Sequence, residues 1–127
     1  MPKTARSAFV IDHKEGQPAK WEGGQMGHNR FEKTFTGDLV GNSVVEAVML
    51  MPADGLPAVY VGIERFDCTL EGRAGTFLLL HSAIMQGERR EGTWSIVAGS
   101  GTGALSGIHG SGEILPNHEF TLSYELD

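Results

Sequence analysis

The sequence predicts an all-β protein, a single closed antiparallel barrel of eight strands, and three observations carry that prediction. Eighteen glycines against five prolines are spread through the 127 residues rather than gathered into a linker. Glycine supplies positive φ for turns and bulges and weakens helices. No stretch repeats apolar residues with the period of an amphipathic helix. The segments between glycine clusters alternate instead, most plainly at the end: Phe120, Leu122, Tyr124 and Leu126 share one face, and Glu119, Thr121, Ser123 and Glu125 share the other. That is the pattern of a half-buried strand. A β-sandwich is the other architecture compatible with it.

Residues 1–6 are expected to be a flexible N-terminus, and Ser7–Asp12 opens the fold as its first strand. Residues 14–28, with Pro18, Trp21 and the Gly23-Gly24 pair, read as a long loop. Arg30–Thr36 alternates Phe31, Lys33 and Phe35 against Arg30, Glu32, Thr34 and Thr36. Val44–Met51 ends at the turn Pro52-Ala53-Asp54-Gly55. Ala58–Arg65, Thr76–Gln86, Thr93–Ala98, Gly107–Leu115 and His118–Leu126 complete the eight strands. Short connections suit an up-and-down barrel, in which closure removes exposed edges. One core of this size leaves no room for a second, so residues 1–127 are expected to be one domain.

A short device recurs. Gly37-Asp38-Leu39-Val40-Gly41, Cys68-Thr69-Leu70-Glu71-Gly72 and Gly103-Ala104-Leu105-Ser106-Gly107 share the pattern small-x-Leu-x-Gly. The leucine is placed to plug the core at a barrel end, and the flanking glycines to bend the strand toward its neighbour. The run Gly99-Ser100-Gly101-Thr102-Gly103 has the look of a phosphate loop, but no Lys follows it and no helix opens there.

Charge and cysteine content exclude several functions. Ten Lys and Arg against sixteen Asp and Glu give a net charge of −6, and the basic residues are scattered. This is no footprint for nucleic acid or for an anionic membrane surface. No signal peptide and no spanning helix are visible, and the single cysteine, Cys68, allows no internal disulfide. A cytoplasmic setting is the expectation. The five histidines show no metal-binding spacing, and no metal or cofactor is implied.

The order Phe35-Thr36-Gly37-Asp38-Leu39, Glu64-Arg65, Leu70-Glu71-Gly72-Arg73-Ala74-Gly75-Thr76-Phe77, His81, Trp94 through Gly107, and Tyr124-Glu125-Leu126 resembles an uncharacterised bacterial family, domain of unknown function 3224. The specific part is Trp94–Gly107. The family is similar to the allene oxide cyclase and dirigent barrels, and the resemblance implies an eight-stranded, oligomeric barrel without a known substrate. No cyclase catalytic residue maps onto this chain position by position.

The candidate functional residues are polar groups that interrupt apolar strands. His81 stands on one face with Phe77, Leu79, Ala83 and Met85, where an imidazole must find a partner or a wet cavity. Glu64 and Arg65 are neighbours and point to opposite faces, and alternation alone does not say which faces inward. An inward Glu64 beside Tyr60 is suited to proton transfer, with Glu46 a second candidate carboxylate. Trp94 and Tyr124 are either core anchors or ligand platforms. Thr76–Gln86 is apolar on both faces, which points to an outer cover and hence to a homo-oligomer. Three functions fit: a barrel binding a small apolar molecule through Tyr60, Trp94, Tyr124 and Glu46; a cofactor-free cyclase or isomerase using Glu64 and His81; or a solid-cored structural protein.

Overall fold

Strands β1 (Lys3–Trp21), β2 (Gly24–Gly37), β3 (Leu39–Pro52), β4 (Ala58–Leu70), β5 (Arg73–Gln86), β6 (Arg89–Ile96), β7 (His109–Leu115) and β8 (Glu119–Glu125) follow one another around a closed antiparallel barrel. The computed structural model describes residues 2–21, 24–52 and 57–126. A 3-10 turn, Gly103–Leu105, interrupts the strands between β6 and β7. Among the described residues no helix is long and apolar enough to cross a membrane. The eight-stranded barrel is therefore the architecture, and not the sandwich. The clearest alternation is in β4, where every residue from Val61 to Leu70 is in turn exposed and buried.

Two stretches differ from the sequence prediction. Of the stretch 14–28, expected to be a loop, residues 14–21 and 24–28 are the paired arms of a long hairpin, with Gly16 opposite Asn29, Gln17 opposite His28 and Pro18 opposite Gly27. Residues 11–20 are exposed and pair on one side only. A ribbon of this kind is held by backbone hydrogen bonds and needs no apolar alternation, and Pro18 is tolerated on its free edge. Residues 1–6, expected to be flexible, include a strand: Lys3 pairs with Tyr124, Ala5 with Leu122, and Ala5 is buried. Closing the barrel requires this pairing across the whole chain, and no local signal announces it. The turn expected at Pro52-Ala53-Asp54-Gly55 falls mostly outside the described residues. β7 starts two residues later than expected because Ser106 and Ile108 donate back to Gly103 and Leu105 and close the 3-10 turn.

One end of the interior is solid. Leu39, Leu70 and Leu105, the leucines of the recurring corners, have no exposed surface, and Leu39 and Leu70 are cross-strand partners. Above them Phe66 and Phe77 stack at 4.6 Å between ring centroids, with the Phe35 and Phe120 rings 5.2 and 5.7 Å from that of Phe66. The corners need glycine where backbones cross. Gly41 has φ +146°, and a Cβ there would lie 2.4 Å from the Asp67 carbonyl oxygen. At Gly75 a Cβ would lie 2.1 Å from the Thr102 carbonyl oxygen. This is where the Thr102 amide donates to Thr76 at 2.9 Å and seats the 3-10 turn over the barrel end. The glycine-rich run is thus a plug that carries Leu105, and its glycines serve close approach rather than phosphate.

Leu105→Ala should lower unfolding stability by about 2–5 kcal/mol, because the plug leaves a cavity. Gly75→Ala should destabilise as well, by about 1–3 kcal/mol or more, since the clash is with backbone. Urea unfolding checks both. A midpoint unchanged in either variant would contradict the plug.

Candidate functional site

Cross-strand register stacks the inward side chains in rows. Lys33, Ser43 and Phe66 form one row; Val45, Glu64 and Leu79 the next; Ala47, Gly62, His81 and Trp94 a third; Met49, Tyr60, Ala83 and Gly92 a fourth. Because β4 alternates strictly, Glu64 lies inside at 1% exposure and Arg65 outside. The first of these rows caps the aromatic core, and the fourth approaches the opposite end of the barrel.

The Glu64 carboxylate is the centre of the site. Its Oε1 lies 2.8 Å from His81 Nε2, its Oε2 lies 3.4 Å from Lys33 Nζ, and the Ser43 hydroxyl donates to Oε2. His81 and Ser43 are as buried as Glu64, and the Lys33 ammonium also sits 4.5 Å from the centroid of the Phe9 ring. Burial by itself would push the Glu64 carboxyl up. The His81 hydrogen bond, the Lys33 charge and the Ser43 hydroxyl outweigh it and hold the group below the ordinary carboxyl value of 4.5. Glu64 is therefore an anion inside the barrel. Among the described residues no buried side-chain polar atom lacks a hydrogen-bond partner.

The ionised carboxylate also sets the histidine. It can only accept, so Nε2 of His81 carries the hydrogen. In the neutral ring this leaves Nδ1 as an acceptor, 3.4 Å from the Tyr60 hydroxyl. Burial first, and the Glu64 charge second, push the Tyr60 hydroxyl up to about 12. It is thus a neutral donor at physiological pH. The long contact to Nδ1 leaves it free to turn to another acceptor. Trp94 stands edge-on to His81, with ring centroids 6.3 Å apart. Its indole lies over Gly92, where a Cβ would come within 2.8 Å of the ring. Met49 and Tyr60, both half-buried, pack on the small apolar cluster Phe31, Val45 and Ala47. The result is an ordered chain from carboxylate to imidazole to a half-exposed phenol, collared by apolar and aromatic groups.

The structure brings four of the sequence candidates together: Glu64, His81, Tyr60 and Trp94. It does not bring Glu46 or Tyr124 to them. Glu46 faces outward, with a side chain 75% exposed and 3.7 Å from Arg30. Its neighbours Val45 and Ala47 take the inward positions, and strand parity then forces Glu46 out. Tyr124 is buried, but in the aromatic core at the closed end, where its hydroxyl donates to Glu71 at 2.5 Å. It is an anchor and not a ligand platform of this site. Sequence reasoning missed Lys33 and Ser43. The signal for Lys33 was present, since it stands between Phe31 and Phe35 on the face those rings bury. Ser43 has no such mark.

Other features carry less chemistry. Cys68 is buried, and burial first, then the Asp67 charge, push its thiol up to about 12. It stays protonated and is no nucleophile. Among the described residues no group of three His, Cys, Asp or Glu is placed to hold a metal ion. An open groove of about 930 Å³ lies on the outside of the barrel, along β3, β4 and β5 and the hairpin β1–β2. None of Lys33, Ser43, Tyr60, Glu64 and His81 lines it. Its size does not make it the site, because its lining holds no coupled acid and base.

The sequence model of family DUF3224, described as "Protein of unknown function", matches residues 5–127. The crystal structure at 1.84 Å resolution of a protein with unknown function from the same family, from Shewanella oneidensis MR-1, superposes with a TM-score of 0.85 at 27% sequence identity. The match covers 100% of this chain and 98% of that one. No curated protein matches the chain. The two findings concern the family and its barrel, and neither names a cyclase.

Two results should follow from the buried carboxylate. Glu64→Gln leaves Lys33 buried without its counter-ion and should cost about 3–5 kcal/mol in urea unfolding. Because the folded value of Glu64 lies below 4.5, its contribution to stability is fully present above that pH. It is lost as pH falls through the folded value, when the native state must take up the proton. Thermal midpoints measured from pH 6 to pH 3 should therefore fall steeply for the wild type and less steeply for Glu64→Gln. Parallel curves would show that Glu64 is not the group responsible.

Proposed function

The chain belongs to the DUF3224 family, whose description assigns no activity, and from that premise we propose that the barrel holds a small apolar molecule bearing one oxygen acceptor at the Tyr60 end of its interior. The observation that carries this reading is the Glu64–His81–Tyr60 chain of hydrogen bonds. It runs from a fully buried ion to a half-buried hydroxyl with a long, replaceable contact. A buried ion pair is poor evidence of stability, since an apolar core of the same shape does as well or better. Its presence under a collar of Met49, Tyr60 and Trp94 is explained by a ligand whose oxygen takes the Tyr60 proton while its apolar body meets the collar. Lys33 and Ser43 hold Glu64 ionised, and Glu64 holds His81 in the tautomer that keeps Tyr60 pointed inward until the ligand arrives. A cytoplasmic setting agrees with a single, protonated Cys68.

A second reading rests on the same chain of groups. Carboxylate, imidazole and hydroxyl in this order form a proton relay, so a bound substrate with an acidic C–H or an enolisable carbonyl is open to cofactor-free isomerisation or cyclisation. His81 is then the base and Tyr60 the acid. Binder and enzyme separate on one variant: with an enzyme, His81→Asn abolishes turnover at retained affinity.

The test is native mass spectrometry of the protein purified without denaturation, which should show an added small mass released on unfolding. Titration with a neutral apolar dye, Nile red, should change Trp94 fluorescence. Tyr60→Phe should keep the fold and weaken retention of the co-purified molecule about tenfold, the worth of one hydrogen bond. Met49→Trp should block the end and remove binding. A protein that carries nothing, and whose tryptophan emission ignores the dye, would overturn the proposal.

A further inference from the structure

The outward face of β3, β4 and β5 is as unusual as the inward one. Val61 and Ile63 are 47% and 48% exposed, and Val48, Leu80 and Ile84 stand beside them, each more than a third exposed. Register makes this one patch: Val48 is the cross-strand partner of Val61, Ile63 that of Leu80, and the rows are consecutive. A sheet apolar on both faces is normally covered on both. The barrel covers the inner face only, so the outer aliphatics lie open to water, along the groove described above. Contiguous exposed patches of this kind mark association surfaces.

Charge identifies the occupant. The molecule carries a net charge of −6, so two copies repel over most of their surface. The groove is an exception: Arg30 and Arg65 balance Glu15 and Glu46 along its lining. This balance does not favour nucleic acid or a strongly charged peptide, either of which would call for an excess of one sign. Self-association through one shared face needs both signs on that face. The two signs are also placed for it. Arg65 sits beside Ile63 on β4, and its guanidinium has no ion-pair or hydrogen-bond partner among the described residues. Glu46, the cross-strand partner of Ile63, has a side chain 75% exposed despite its contact with Arg30. The two groups thus flank Ile63 on neighbouring strands.

We propose that a second copy of this chain covers the face, in a two-fold dimer that packs Val61 and Ile63 against the same residues of the other copy and sets Arg65 opposite Glu46. Twisted sheets pack face to face at about 10 Å, close enough for these side chains to interdigitate. The proposal is independent of the ligand reading, because no residue of the interior network lines this face.

Sedimentation velocity at micromolar concentration and about 0.15 M salt tests it. The wild type is expected at the mass of two chains. Ile63→Lys should raise the dissociation constant about a hundredfold or more, since it places a charge at the centre of the apolar contact. Arg65→Glu should also dissociate the dimer, and the double variant Arg65→Glu with Glu46→Arg should restore it. Near-ultraviolet circular dichroism and Trp94 emission identical to wild type show that each variant is folded. A wild-type monomer, a trimer or larger assembly, a monomer carrying some other molecule on this face, or a dimer that survives both Ile63→Lys and Arg65→Glu would each overturn the proposal.

Discussion

A single buried carboxylate ties the middle of this barrel together. Glu64 on β4 is held by Lys33 on β2, Ser43 on β3 and His81 on β5, so four consecutive strands meet at two oxygen atoms. An anion with 1% exposure is stable only if its lone pairs are met by donors. This demand fixes the rest of the site. It fixes the imidazole tautomer, and the tautomer determines which ring nitrogen faces Tyr60. It also holds a lysine on the inner wall, where the Phe9 ring and the carboxylate take the place of water around its ammonium.

The interior is therefore graded along the barrel axis. Leucine corners and stacked phenylalanines close one end, the Lys33–Glu64–His81 layer lies across the middle, and Tyr60, Met49 and Trp94 stand toward the other end, each with some exposed surface. Packing and chemistry are divided between the two ends, and each supports the other. The aromatic core packs β4 and β5 against one another's neighbours, and their register places His81 2.8 Å from the Glu64 carboxylate. The same strict alternation that turns Glu64 inward turns Ile63 and Arg65 outward. One strand thus supplies both the polar heart of the interior and the centre of the outer apolar patch.

How far this was legible depended on the range of the interactions. Alternation is local, so most strands and the inward position of His81 could be read from the residues. The corner leucines could be read too, because a leucine framed by glycines has few other uses in a β protein. The hairpin arms over residues 14–21 and 24–28 could not, since an arm exposed on both faces, as residues 14–20 are, carries the polar, glycine-containing composition of a loop. The pairing of Lys3–Arg6 with β8 was hidden for a different reason: it joins the two ends of the chain. At the site, strand parity turns Glu46 outward, and Tyr124 shares the inner wall with Tyr60 but lies at the opposite end of it, a position that alternation does not mark.

By itself the sequence determined the class of fold, the number of strands and the leucine plugs, since these rest on residue spacing within a strand or a corner, and its motifs carried the resemblance to the family. Only the tertiary structure decided that Glu64 and not Arg65 faces inward, that Lys33 and Ser43 complete its shell, and that Glu46 and Tyr124 belong elsewhere. The physical reason is that a buried charge is defined by its partners. Here the partners come from strands whose relative register is set by barrel closure, a constraint that spans the whole chain and is written in no single segment of it.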